Sequence, residues 1–230
     1  MNELIISSTT IGIVISILGY EVGLFLKRKF KKAIFNPLLI SIVFVICFLL
    51  VFHIDYESYN LSAKYLSYLL TPATVCLAIP LYQQLRLLKE HIIAIILGIT
   101  SGVLTSLFSV LILSFIFRLS HEEYVTLLPK SITTAIGMGI SDELGGYVTI
   151  TVAVIIITGV LGNMCAETIC KIAHIKNSIA KGIAIGTSSH AIGTARAMEI
   201  GEVEGAMSSL SIVISGICTL IGASIFANFI

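Results

Sequence analysis

Five stretches of this chain, residues 4–26, 37–53, 92–117, 148–170 and 203–230, are apolar over close to the roughly 20 residues that a helix needs to cross the hydrocarbon core of a bilayer. Lipid offers no hydrogen bonds, so a backbone at that depth has to satisfy itself inside helices or a closed barrel. The overall balance of residues points the same way. Hydrophobic residues make up 57% of the 230 and charged residues 12%, against about 25% charged in an ordinary soluble domain. Too few polar groups remain to cover a water-soluble core of this size. The expected fold is all-α: a polytopic membrane protein with about 7–8 membrane helices, some of them broken or re-entrant, forming one integral membrane domain over residues 1–230.

The net charge is only +1, and the basic residues form no stripe interleaved with aromatics, so nucleic acid is not an expected partner. Cys47, Cys76, Cys165, Cys170 and Cys218 all lie inside apolar runs without metal-knuckle or disulfide spacing. They read as small core residues, and no metal or cofactor is expected. Met1-Asn2-Glu3 supplies no basic stretch ahead of the first run, which reads as a first span rather than a removed leader.

Basic residues favour the cytoplasmic side of short loops. Lys27, Arg28, Lys29, Lys31 and Lys32 follow the first span, which puts the N-terminus outside; Asp55 and Glu57 then fall outside, and Arg86 and Lys89 inside. If residues 127–141 dip in from the outer face and return, Lys171, Lys176 and Lys181 are cytoplasmic, Glu199, Glu202 and Glu204 are outside, and the C-terminus is inside. The same reading exposes an inverted repeat with halves 37–117 and 148–230, each a strong helix, an interrupted one and a long one. Such repeats are the usual architecture of secondary transporters.

The interrupted segments, 61–82, 127–141 and 179–198, carry the chemistry. In the first, Pro72 removes a backbone donor, and Thr71 at the N-cap with Pro72 at the first helical position would start a half-helix just ahead of Thr74. The free N–H groups at such a start attract an anion. In the second, Lys130 follows Pro129, with Thr133, Thr134 and Gly137 on the same helical face. A lysine in the membrane is costly unless it lines a cavity or snorkels to the headgroups. In the third, GTSSHAIGTAR (186–196), Thr187, His190 and Thr194 recur at helical spacing beside Ser188 and Ser189, and His190 can change protonation near neutral pH. Arg196 either joins the site or pairs with Glu199, while Glu167 and Lys171 read as an interfacial pair. Successive residues of a helix do not face one another and no carboxylate orients the histidine, so no catalytic triad forms and no enzyme is expected. The candidate substrate-binding set is therefore Thr71, Pro72, Thr74, Lys130, Thr133, Thr134, Thr187, Ser188, Ser189, His190, Thr194 and Arg196.

LTPATVCLAIPLY (70–82), LLPKSITTAIGMGIS (127–141) and GTSSHAIGTARAMEIGEVEGAMSSL (186–210), together with Asn36-Pro37, resemble the LrgB/CidB family over nearly the whole chain. Thr71 stands where that family usually has glycine, and Ala135 where proline is expected. The resemblance implies a small hydrophobic LrgA/CidA-type partner and a bacterial role in controlling autolysis and murein hydrolase activity. The chain is also similar to the membrane part of the plastid glycolate/glycerate translocator, which implies carriage of small carboxylates. The leading expectation is a carrier for small monocarboxylates such as pyruvate, lactate or glycolate in the bacterial plasma membrane. The alternative is a holin/antiholin-type modulator of autolysis. A homo-oligomer is expected, and its assembly would call for packing surfaces such as Gly98-xxx-Gly102.

Overall fold

A computed structural model describes residues 10–30 and 35–230; residues 1–9, which begin the first expected span, and Lys31 and Lys32 lie outside the described residues. All regular structure among the described residues is helical, as the apolar runs predict. Four stretches, Tyr56–Gln83, Ile92–Phe117, Val148–Ile172 and Glu202–Phe229, are long and apolar enough to cross a membrane, and Pro37–Val51 is a shorter apolar helix. The chain divides into two compact units, Met1–Cys76 and Leu77–Ile230.

In the first unit, α1 (Ile11–Phe30) and α2 (Pro37–Val51) pack through glycines. Gly23 lies against the backbone of Pro37, and Gly19 against Ser41 and Phe44. Asn36 caps α2, its Oδ1 accepting from Leu38 N at 2.9 Å, and Pro37 takes the first position, where a missing N–H costs nothing. Then α3 (Tyr56–Ala63) returns to α1: Gly12 N donates to Ser62 Oγ at 2.8 Å, and the Ser16 and Tyr59 hydroxyls are 2.7 Å apart. A 3-10 turn, Lys64–Leu69, leads into α4 (Leu70–Cys76). The half-helix start expected at Thr71 and Pro72 is not seen: the 3-10 turn passes into α4 at Leu70 without a gap, so Thr71 and Pro72 lie inside a continuous helical run and Thr71 is not a cap.

The second unit opens with the short α5 (Ala78–Gln83) and α6 (Leu85–Glu90), followed by α7 (Ile92–Phe117), α8 (His121–Leu127), α9 (Thr134–Glu143), α10 (Val148–Ile172), α11 (Ser178–Ile200) and α12 (Glu202–Phe226). Two of its segments turn back within the protein. Residues 128–133 join α8 to α9, so that Thr126 and Ser141 meet beside Thr151, whose hydroxyl donates to Thr126 O at 3.0 Å and to Ser141 Oγ at 2.7 Å. The second turn is at His190, where φ 42° and ψ −140° break α11 into arms 178–189 and 191–200. Gly193 lies against Ile185, and Ile185 packs with Ala197 and Ala166. A straight helix rises 1.5 Å per residue and would hold residues 185 and 197 roughly 18 Å apart. The first arm runs antiparallel to α10, with Ser189 on Gly162, and the second returns alongside it, with Arg196 on Glu167.

This hairpin corrects the expectation that 179–198 crosses the membrane and sends Glu199, Glu202 and Glu204 to the face opposite Lys171, Lys176 and Lys181. Both ends of α11 lie at the C-terminal end of α10. With two segments returning, α7 and α12 run the same way: Gly98 and Gly102 meet Ile183 and Thr187 of the first arm, and Gly182 and Gly186 of that arm meet Glu204 and Ser208. Halves 37–117 and 148–230 are consequently not related by inversion, since their last helices are parallel. The elements that do run oppositely are α7 with its hairpin and α10 with its hairpin. The expectation that the C-terminus and Asp142 lie on opposite faces is corrected as well: the Ile230 carbonyl lies 2.7 Å from His121 Nδ1, on the same face as Asp142.

Candidate functional site

The two hairpins enter from opposite faces and their tips reach one level. Ser131 of the first tip lies 3.1 Å from Ser106 Oγ, near the middle of α7. Thr187 of the second packs on Gly102, one turn away, and Ser189 on Gly162 in the middle of α10. Between them is a cleft of about 920 Å³ that runs from His91 and Asn177, at the basic end, to Lys130 and Ser109. Irregular backbone at membrane depth is tolerated where it lines such a cavity or is covered by protein.

Lys130 is half-buried, and its ammonium donates to Ser131 Oγ at 3.0 Å, leaving two further donors. No salt bridge engages it among the described residues. The other walls are hydroxyls satisfied by their own helices. Thr187 Oγ1 donates to Ile183 O at 2.8 Å, Ser188 Oγ to Ala184 O at 2.7 Å, Ser101 Oγ to Gly98 O at 2.8 Å and Thr105 Oγ1 to Ser101 O at 2.7 Å; Ser109 donates to Thr105 O. Such hydroxyls carry no net charge and can rotate toward a guest, so the cleft pairs one positive charge with adaptable dipoles.

Of the residues singled out from the sequence, Lys130, Thr187, Ser188 and Ser189 line this cleft. Lys130 lies in the turn before α9, and Thr133 occupies the N-cap position of that helix with Thr134 after it. The three do not share one helical face, because the helix starts four residues later than Lys130. His190 is buried behind the tip, its Nε2 3.0 Å from the Ile155 carbonyl and its ring against Gly159. The carbonyl can only accept, so this contact selects the Nε2-protonated ring. Thr194 Oγ1 donates to the His190 carbonyl at 2.9 Å and lies 2.7 Å from Ser208 Oγ, which ties the hairpin turn to α12. Arg196 pairs with Glu199 and also with Glu167, across to α10. Thr71 and Pro72 are exposed in the first unit, and Thr74 belongs to the same short helix.

Sequence reasoning missed the α7 wall. Ser101, Thr105, Ser106 and Ser109 fall on one face at helical spacing within an otherwise apolar run, a signal that the transmembrane reading passed over. It also treated Gly98-xxx-Gly102 as a surface for a second copy, whereas the hairpin of the same chain occupies it. Asn163 was missed too: its side-chain N–H donates to the Ile192 carbonyl at 2.6 Å, tying the start of the second arm to α10.

Residues 16–229 match the model of the LrgB-like family. The chain is 36% identical over 217 residues to the holin-like protein CidB of Staphylococcus epidermidis, covering 94% of each chain. It is also 36% identical over 220 residues to the antiholin-like protein LrgB of Bacillus cereus, covering 95% of this chain and 96% of the other. No solved structure matches it.

Proposed function

This chain belongs to the LrgB-like family, and on that footing we propose that it is a holin/antiholin-type protein of the bacterial cell membrane that modulates murein hydrolase activity and autolysis. The names of its relatives support this reading over carriage as such. Its expected partners are a small LrgA/CidA-type membrane protein and further copies of itself. It is not an enzyme in this reading. Arg86, Lys89, Lys171, Lys176 and Lys181 cluster toward one end of the second unit, which supports a cytoplasmic position for that end; Lys27, Arg28 and Lys29 after the first span support an outside N-terminus.

One observation favours a second reading, a carrier for small monocarboxylates of the pyruvate, lactate or glycolate type. Lys130 from one hairpin and Thr187, Ser188 and Ser189 from the other face a single cleft. A carboxylate leaving water loses hydration worth many kcal/mol, which neutral hydroxyls alone do not replace. One ammonium matches one carboxylate. The two readings join if autolysis follows from altered carboxylate flux.

The deciding experiment measures uptake of a radiolabelled carboxylate panel into liposomes, with and without the LrgA/CidA-type partner, and scores autolysis in cells carrying the same variants. Uptake by the wild type that Lys130→Gln removes, with a parallel change in autolysis, supports both readings. Altered autolysis with no uptake under any condition leaves the modulator alone. Neither effect removes both.

A further inference from the structure

A second cavity, of about 340 Å³, lies at the base of the α11 hairpin. It is lined by Glu167 and Lys171 from the end of α10, His174 and Lys176 from the connecting turn, Lys181 from the first arm and Ile200 from the second. The charges are unevenly matched. Glu167 is held by Arg196, which also holds Glu199, and Lys171 Nζ lies 3.6 Å from the same Glu167 carboxylate. Lys176 and Lys181 make no ion pair among the described residues. The cavity is thus cationic, faces the aqueous end of the helices, and has apolar wall beside its ammonium groups.

We propose that this cavity binds a phosphate group, presented either by the headgroup of an anionic lipid or by a free phosphate. Lysines from two helices and the turn between them line the cavity and suit a tetrahedral anion with several acceptor oxygens, which lysine serves as a point charge. Basic pockets between membrane helices at the cytoplasmic end are where anionic headgroups lodge. The site is separate from the central cleft and does not rest on either functional reading. A bound phosphate would relieve repulsion among Lys171, Lys176 and Lys181 and tie the first arm of the hairpin to α10.

The test is thermal unfolding of the full chain in a neutral detergent, titrated with phosphatidylglycerol, with inorganic phosphate, and with sodium chloride at matched ionic strength. Wild type is expected to gain Tm with one of the phosphate probes beyond the salt control, because a ligand that binds only the folded state stabilises it. The double variant Lys176→Gln/Lys181→Gln should need about 30-fold more of that probe for the same gain, each lysine near an anionic group being worth about a factor of five. Arg86→Gln, exposed and outside the cavity, should titrate as wild type. A gain with the lipid alone identifies a headgroup site, and a gain with inorganic phosphate alone a free-phosphate site. No gain with either probe, an unchanged response in the double variant, or an equal loss in Arg86→Gln overturns the proposal.

Discussion

Gly193 rests on the main chain of Ile185: a Cβ placed on it would lie 3.2 Å from the Ile185 carbonyl oxygen and 3.1 Å from Ile185 Cγ2. The approach exists because the chain reverses at His190, and it leaves no room for a branched side chain. Gly193→Val is therefore expected to lower stability by about 1–3 kcal/mol, the usual cost of overpacking. Thermal unfolding in detergent measures it, and a wild-type Tm would argue that the arms of the hairpin are apart.

The hairpin also fixes which helix ends of the second unit share a face. Single cysteines at Asp142 and Asn228 should label from one side of the membrane, and those at Lys176 and Glu199 from the other, on a background lacking the five native cysteines. Position 199 labelling together with position 142 would restore a crossing at 179–198 and remove the hairpin.

Lys130 is the one cation among the residues that line the cleft at the level of the hairpin tips. If the cleft takes carboxylates, Lys130→Gln should weaken binding by about 10- to 100-fold, since a hydrogen bond to a charged group contributes about 1.5–3 kcal/mol. Equilibrium binding of labelled pyruvate or glycolate to purified protein provides the readout, and undiminished affinity excludes Lys130 as the anchor.

Thr194 and Ser208 are fully buried and share a hydrogen bond. Removing either hydroxyl strands the other, so Thr194→Val and Ser208→Ala should each cost about 1–3 kcal/mol. The double variant should cost less than the sum, as expected for partners in direct contact. Strict additivity in a double-mutant cycle would mean that the pair does not form.

His190 points away from the cleft toward the Ile155 carbonyl. His190→Gln is accordingly expected to reduce thermal stability while leaving the pH profile of any carboxylate uptake as in wild type. A flattened profile in a well-folded variant would instead place a proton on this ring during transport.

Proline misled at Pro72, where the chain stays helical, but the break at Pro129 was legible because proline announces a missing donor. The turn at His190 was not. Its own stretch contains no proline, and Gly186 and Gly193 read equally well as packing glycines in a straight helix. What permits the turn lies some thirty residues upstream: Gly159 and Gly162 make room for the imidazole and Ser189, and Asn163 holds the start of the second arm through the Ile192 carbonyl. Charge counting erred at the same place, since Lys181 and Glu199 on either side of an apolar stretch imitate the two ends of a span. Glu199 is held instead by Arg196, beside Glu167 at the end of α10. The polar residues of the two tips were recognisable as types out of place in lipid. That they face each other follows only from how the hairpins pack.

The arms of these hairpins, 7 and 10 residues in α8 and α9, fall well short of the roughly 20 needed to cross. During synthesis neither hairpin can lodge in lipid by itself, because its turn exposes backbone groups that hydrocarbon does not satisfy. Each has to wait for the helices that will wall it in. The α11 turn rests on α10, made before it, and on α12, made after it through Thr194 and Ser208. A ribosome pausing before Glu202 would thus hold a chain whose second hairpin still lacks one of its walls, and the last helix to emerge is the one that steadies the tip beside the cleft.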